Sequence, residues 1–337
     1  MNDKTTPAIE LARALTRPRL WTAVDTAVTY RWPHANDHKY SRGVLGLMTG
    51  SPQFPGAAVL STAGALHTGL GMLRWLGDDS VRDRVLDFAP EAVTTEGRTD
   101  AFAVGSGLPE VSAEAGDPEL FRRVHDLLIS GVPTVVDAGA LAAIDEAALD
   151  HEHRWILTPH LGEFRRVAKR LGVDVALDEL ADAEQSGSGV SLRDASLDPS
   201  GAALDPSQAA APGRSADAVE RHAEAAAALA ERTGSVVLLK GAHTVVSDGT
   251  QTALVTTGTP WHATAGTGDV LTGVVGALLA ARAEAPTLDA LVSVAASGAW
   301  LHGRAGQLAQ GPFTALQLAA ALPEAVRSIT PNPVVSH

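Results

Sequence analysis

No cysteine occurs anywhere in the 337 residues. A disulfide framework, a thiolate metal centre and a thiol nucleophile are thereby excluded. Aromatic side chains are nearly as scarce, at 4%, so a core must be assembled mainly from Ala, Val and Leu, within a hydrophobic content of 45%. Excess basic charge is lacking too: 26 Lys and Arg against 39 Asp and Glu leave a formal net charge of -13. Such a chain has no global attraction for nucleic acid or for an anionic membrane surface. An anionic small ligand stays within reach, because backbone amides can hold a phosphate locally. The opening stretch MNDKTTPAIELARALTRPRLW contains no apolar signal core. The longest apolar stretch, Val270–Ala281, is too short to span a bilayer and is broken by Thr272, Gly273 and Gly276. These absences predict a cytoplasmic protein with neither nucleic acid nor membrane as a partner.

What is present alternates. Short aliphatic runs at Val44–Thr49, Ala101–Val104, Thr134–Val136, Trp155–Leu157, Val236–Leu239, Val245–Ser247 and Ala253–Val255 read as strands. Ala-rich helical patterns fall near 56–70, 118–130, 161–171, 217–233, 266–284, 287–309 and 314–327. Strands apolar on both faces, interleaved with helices, predict an α/β fold with a central, mostly parallel sheet flanked by helices on both faces. Two final helices follow without a strand between them. Residues 1–37 read as an N-terminal extension and 38–330 as one domain. Within it, Gln185–Ala216 is rich in Ser, Gly, Pro and Asp, lacks aromatics and repeats LDPS, which predicts an exposed, disordered insertion.

Four kinds of segment carry chemistry. Thr264-Ala-Gly-Thr-Gly-Asp269 runs directly into an apolar helix. Amides of Ala265, Gly266, Thr267 and Gly268 can converge there as an anion hole, aided by the helix dipole. Asp269 stands at its rim, where a carboxylate can take a proton from an attacking hydroxyl. The plainer alternative is a glycine turn with an acidic residue matching the dipole. Val236–Leu239 ends in Lys240-Gly-Ala-His-Thr244, and open α/β sheets bind ligands at carboxyl strand ends. A solvated lysine accounts equally well for Lys240 taken alone. In Leu157-Thr-Pro-His160-Leu-Gly-Glu163-Phe, Thr158 and Glu163 can serve the helix start, whereas His160 has no evident capping role and becomes a candidate for substrate contact. Finally, Gly50-Ser-Pro-Gln-Phe-Pro-Gly-Ala57 and Val104-Gly-Ser-Gly107 offer small residues at strand ends, suited to a planar ligand or simply to tight turns.

In this order, and with His38-Lys-Tyr-Ser-Arg-Gly43, Val136-Asp-Ala-Gly-Ala-Leu141 and Leu301-His-Gly-Arg-Ala305, these segments resemble the ADP- or ATP-dependent NAD(P)H-hydrate dehydratases of the ribokinase-like superfamily over about residues 38–327. That family corresponds to the C-terminal domain of bifunctional nicotinamide-repair enzymes. The resemblance implies a ribokinase-like fold and a lyase that dehydrates the 6S hydrates of NADH and NADPH, with ADP as co-substrate, Mg2+ required, and AMP and phosphate released. It implies that Asp269 is the catalytic base, that Ala57, Gly107, His160 and Asp269 surround the hydrated nucleotide, and that Lys240, Gly241, Ala242, His243, Thr244 and Gly268 hold the adenine nucleotide. It also implies a homotetramer acting beside a separate NAD(P)H-hydrate epimerase, since the residues ahead of 38 are too few for that second unit. No protein metal ligands are singled out.

Three positions depart from the family pattern: Gly139 replaces an Asp, Leu161 a Pro, and Ala265 a Gly. Ala265 keeps the turn if its φ stays negative, and Gly139 removes a carboxylate. Two other readings stand beside the dehydratase: a small-molecule kinase of the same superfamily acting on a vitamin-precursor hydroxyl, and a nucleotide-binding module without catalysis. The complete Gly-Thr-Gly-Asp turn speaks against the second.

Overall fold

The computed structural model describes residues 18–114, 116–175, 214–282 and 286–330. The expected apolar runs form β2 (Val44–Met48), β4 (Ala101–Val104), β5 (Thr134–Val136), β6 (Trp155–Leu157), β7 (Val236–Leu239), β8 (Thr244–Ser247) and β9 (Thr252–Val255). With β1 (Arg19–Leu20) and β3 (Met72–Trp75) they make one nine-stranded sheet in the order β1-β9-β8-β7-β6-β5-β4-β2-β3. From β3 to β7 every pairing is parallel; β8 lies antiparallel to both neighbours, and β1 runs parallel to β9. The sheet is therefore mostly parallel, as expected.

Alternate residues of the strands face opposite cores. Val236 and Leu238 join one apolar cluster, while Val237 and Leu239 join the other. On the first face lie α2 (Pro55–His67), α8 (Thr267–Ala280), α9 (Leu288–Ala309) and α10 (Ala315–Arg327). On the second lie α4 (Pro118–Leu128), α6 (Leu161–Arg170) and α7 (Arg214–Thr233). Helices thus cover both faces, and α9 packs directly on α10.

Helices α2 and α8 approach closely because glycines stand where they cross. A Cβ added at Gly64 would come within 2.3 Å of the Val270 carbonyl oxygen, and one at Gly273 within 2.0 Å of that of Ser61. This contact brings the loop before α2 and the turn before α8 to the same end of the sheet.

Several elements differ from the expectation. β3 was not expected because Arg74 interrupts its apolar run. In the fold Arg74 is 9% exposed, with its guanidinium donating to the carbonyls of Thr95, Glu96 and Arg98. Shorter helices α1 (Ala23–Thr29), α3 (Arg82–Phe88) and α5 (Glu146–Leu149) carry too few turns to show a period. The boundary at 37/38 does not coincide with an edge of the fold: β1 pairs with β9, and Trp21 is buried, its indole N–H donating to Thr26 and Ser297. A capping box of Thr22 and Asp25 starts α1. Of the expected insertion, residues 185–213 lie outside the described residues, and 214–216 belong to the first turn of α7. Among the described residues, no helix is long and apolar enough to cross a membrane.

Candidate active site

The carboxyl ends of β2, β4, β5, β6 and β7 deliver the Gly50–Ala57 loop, the Gly105–Gly107 turn, Asp137, Thr158–His160 and Lys240 to one edge of the sheet. A cavity of about 460 Å³ lined by Lys39, His67, Met72, Phe88 and Glu91 sits instead where β3 begins, away from every one of these groups. Chemistry, not cavity size, locates the site.

The turn before α8 is held by its own sequence. Gly266 adopts the left-handed conformation, φ 91°, as the residue preceding the helix, and no side chain caps that end. Ala265 is not among the residues of positive φ, so the Ala at this position leaves the turn intact. Of the amides expected to form the anion hole, that of Thr267 donates instead to the Thr264 carbonyl at 3.3 Å; those of Gly268 and Asp269 fall in the first turn, where a helix has no carbonyl of its own to offer. The turn is braced from beneath: Thr267 Oγ1 donates to the His262 and Thr264 carbonyls, at 2.7 and 2.9 Å. His302 Nε2 lies 2.9 Å from the Thr267 carbonyl. Burial, then the neighbouring His262, push the His302 pKa down to about 3, so the ring is neutral and its N–H donates.

Asp137 forms the floor. It is 2% exposed, and its Oδ1 accepts from Lys240 Nζ and Thr158 Oγ1, each at 2.8 Å. Its Oδ2 accepts from Ser106 Oγ at 2.8 Å and Thr272 Oγ1 at 2.9 Å. Burial works against the charge of Asp137, but Lys240 and these donors outweigh it and hold the carboxyl below its usual range. Lys240 is likewise disfavoured by burial, yet Asp137 and Glu163 keep its pKa raised. The Lys240 ammonium ends beside Gly268: a Cβ there would lie 3.8 Å from Nζ. Asp269 has the opposite fate. Burial, then the charge of Asp137, push it up to about 6, against weaker opposing pulls from Lys240 and Ser106.

His160 does have a capping role, contrary to the sequence reading. Its Nδ1 accepts from the amides of Gly162 and Glu163 at the start of α6, and Glu163 returns the favour to the His160 amide. Thr158 caps nothing here; it turns inward to Asp137. The side chain of His160 nevertheless remains 56% exposed. Because β6 and β7 are neighbours, His160 and Lys240 face each other across a parallel bridge. The candidate substrate contact and the candidate phosphate contact are therefore adjacent. Gly241, Ala242 and His243 form the turn from β7 into β8 just beyond Lys240, and Thr244 opens β8.

Ala57 and Gly107 come together: a Cβ on Gly107 would sit 2.4 Å from that of Ala57. At Gly139 a Cβ would meet the Pro109 carbonyl oxygen at 2.1 Å. The backbone of the 107–111 segment thus occupies the space of a side chain there, with the Val111 amide donating to the Gly139 carbonyl. Leu161 is 6% exposed and joins the second core.

Asp137, Ser106 and Thr158 fall within segments noted in the sequence, but none of them, nor Thr272, was assigned to the site from sequence. Asp137 stands directly after an apolar strand, the position that drew attention to Lys240, and that was the available signal. Its hydroxyl donors come from three other elements and leave no pattern along the chain.

Comparison with known proteins bears on the family and the fold. The family model described as NAD(P)H-hydrate dehydratase matches residues 45–190 and 210–328. The bifunctional NAD(P)H-hydrate repair enzyme of Mycobacterium leprae is 33% identical over 295 residues, covering 85% of this chain and 50% of that protein. Its counterpart in Mycobacterium tuberculosis is 32% identical over 267 residues, covering 77% and 45%. The chain thus spans about half the length of these relatives. Among solved structures, an ADP/ATP-dependent NAD(P)H-hydrate dehydratase from Bacillus subtilis, co-crystallised with ATP and Mg2+, superposes with a TM-score of 0.68 at 26% identity, covering 93% of this chain and 99% of that one. A ribokinase-like protein from Enterococcus faecalis, at 18% identity and a TM-score of 0.66, shares the fold.

Proposed function

The chain belongs to the NAD(P)H-hydrate dehydratase family, and from that premise we propose that it dehydrates the 6S hydrates of NADH and NADPH with ADP as phosphoryl donor. The observation that carries this reading is a proton-accepting carboxylate, Asp269, on the first turn of an uncapped helix beside the Lys240 ammonium. The hydrate bears a hydroxyl on the ring carbon next to nitrogen, and hydroxide leaves poorly. Asp269 takes the hydroxyl proton as that oxygen attacks the terminal phosphorus of ADP, and AMP departs. The amides of Gly268 and Asp269, the helix dipole and Lys240 stabilise the charge on the transferring group. The ring nitrogen lone pair then expels phosphate, and loss of a proton from the adjacent ring carbon restores the reduced nicotinamide.

Ala57, Gly107 and His160 line the hydrate in this reading, and Lys240–Thr244 with Gly268 hold the adenine nucleotide. Among the described residues, no group of three His, Asp or Glu could hold a metal ion. A Mg2+ carried on the nucleotide phosphates would neutralise phosphate charge there. The same reading includes a cytoplasmic homotetramer served by an epimerase activity that supplies the 6S form. Mixing hydrated NADH, ADP and Mg2+ tests the central point. Recovery of NADH absorbance with stoichiometric AMP is expected, and phosphorylated hydrate accumulating without NADH would favour a kinase instead.

A further inference from the structure

Asp137 is the most heavily hydrogen-bonded carboxylate of the site, yet the reaction above gives it nothing to do. All its donors are protein groups, on four separate elements: Ser106 after β4, Thr158 after β6, Lys240 after β7 and Thr272 on α8. A carboxylate so occupied, and 2% exposed, is poorly placed to act as a base or to meet a ligand. We propose that Asp137 is a positioning residue: its buried charge fixes the Lys240 ammonium beside the N-terminus of α8 and acts on Asp269 across the first turn of that helix. The proposal rests on the reading of Asp269 as the base.

Geometry bears on both halves: Thr272, which donates to Asp137 at 2.9 Å, stands three residues after Asp269 on α8, so the fixed carboxylate lies against the same turn as the base. Lys240 reaches Asp137 at 2.8 Å but Glu163 only at 3.8 Å, so Asp137 sets where the ammonium sits. The Thr272 hydroxyl donates to the carboxylate at 2.9 Å and lies 3.2 Å from the Gly268 carbonyl, which brings the floor against the anion hole one turn away. Other titratable groups around the pair are Glu163 and His160 from α6, and His262 and His302 beneath the turn. Of the charges acting on Asp269, Asp137 raises its proton affinity and Lys240 lowers it. A base that holds its proton more firmly is a better match to an operating pH near neutrality.

The test compares Asp137→Asn with wild type. Asn keeps the shape, and the hydroxyls of Ser106 and Thr272 can rotate to accept from its amide. We expect the acid limb of the pH–kcat/KM profile, near pH 6 in wild type, to move down by about one pH unit or more. The charge-retaining variant Thr158→Val should leave that limb in place, whereas a merely structural role for the cluster would move the limb in both variants or in neither. A slowed, folded Asp137→Asn enzyme with an unmoved limb would overturn the proposal. Should that variant not fold, Lys240→Gln gives the converse test: loss of the ammonium should move the limb upward, and an unmoved limb counts against the coupling. Carbon NMR titration of the Asp269 carboxyl, identified by its disappearance in Asp269→Asn, reads the same shift without substrate. A wild type that never dehydrates the hydrate would remove the dehydratase reading, while the titration would still decide the role of Asp137.

Discussion

Two aspartates share one end of the sheet and are driven in opposite directions. At the floor, Asp137 is enclosed by three hydroxyls and an ammonium and stays ionised despite its burial. At the rim, Asp269 lacks such a set of donors, and burial with a like charge nearby pushes it up to about 6. The same residue type becomes a fixed charge in one place and a proton acceptor in the other, and hydrogen-bond donors rather than depth decide which. The difference is sharpest in chemistry. Asp269→Asn keeps shape and reach but cannot take a proton, so kcat should fall at least roughly a thousandfold. AMP affinity should hold or tighten slightly, since a negative charge beside phosphate is removed. Single-turnover kinetics and AMP titration would check both, and a folded variant within tenfold of wild type, less than the roughly hundredfold minimum of general base catalysis, would end the assignment.

Removing the floor should cost stability instead. Asp137→Ala leaves the Lys240 ammonium without its nearest anion, and breaking a buried pair typically costs about 3–5 kcal/mol. We expect the lower end of that range, because Glu163 remains 3.8 Å away and Lys240 keeps 20% side-chain exposure. Urea denaturation should show the loss, and adding Lys240→Met to Asp137→Ala should recover part of it. A single Ala variant as stable as wild type would mean the pair is solvated.

The same contrast explains what could be read in the sequence. Apolar runs and Ala-rich periods sufficed for the layered α/β fold, because burial on both faces writes itself into consecutive residues. Thr264–Asp269 was legible because a turn, a helix start and a carboxylate are contiguous. The Asp137 cluster was not, because Ser106, Thr158, Lys240 and Thr272 meet only once the strands are ordered. β1 and α1 escaped for a related reason: a two-residue strand has no period, and its worth lies in pairing with β9 across the chain. His160 was misread because an imidazole is an unusual helix cap, even though Glu163 three residues later completes the capping box.

Stability against pH offers a smaller and more selective effect. The folded-state pKa of Asp269 lies near 6, above the ordinary value of 3.8. Below pH 3.8 both states are protonated and the group contributes nothing. As pH rises through this window the unfolded state ionises first, so wild type loses stability and bears the full cost above about pH 6. Asp269→Asn escapes that cost. Its melting temperature should exceed that of wild type at pH 8 and converge with it near pH 4. At 1.36 kcal/mol per pKa unit, discounted for partial exposure, the gain should be about 1–2 kcal/mol. Equal melting curves at both pH values would show that Asp269 is better solvated than its surroundings imply.

The smallest expected effect belongs to His160, which straddles the two roles. Its Nδ1 closes the start of α6, while 56% of its side chain remains exposed, with Nε2 3.4 Å from Glu163 Oε1 and within reach of a ligand as well. His160→Ala removes both functions, and loss of a cap alone costs about 0.5–2 kcal/mol of stability. His160→Asn separates them, because Asn is among the preferred caps but its amide ends short of the imidazole Nε2. Both variants should raise KM for the hydrate several-fold, about 1 kcal/mol, and only the Ala variant should also melt earlier. AMP affinity is the discriminating measurement, because the backbone of His160 bridges Lys240. If His160 serves the hydrate, AMP binding stays near wild type in the Asn variant, whose cap and bridge are intact. Loss of AMP binding there, with the fold preserved, would place His160 on the nucleotide side of the site.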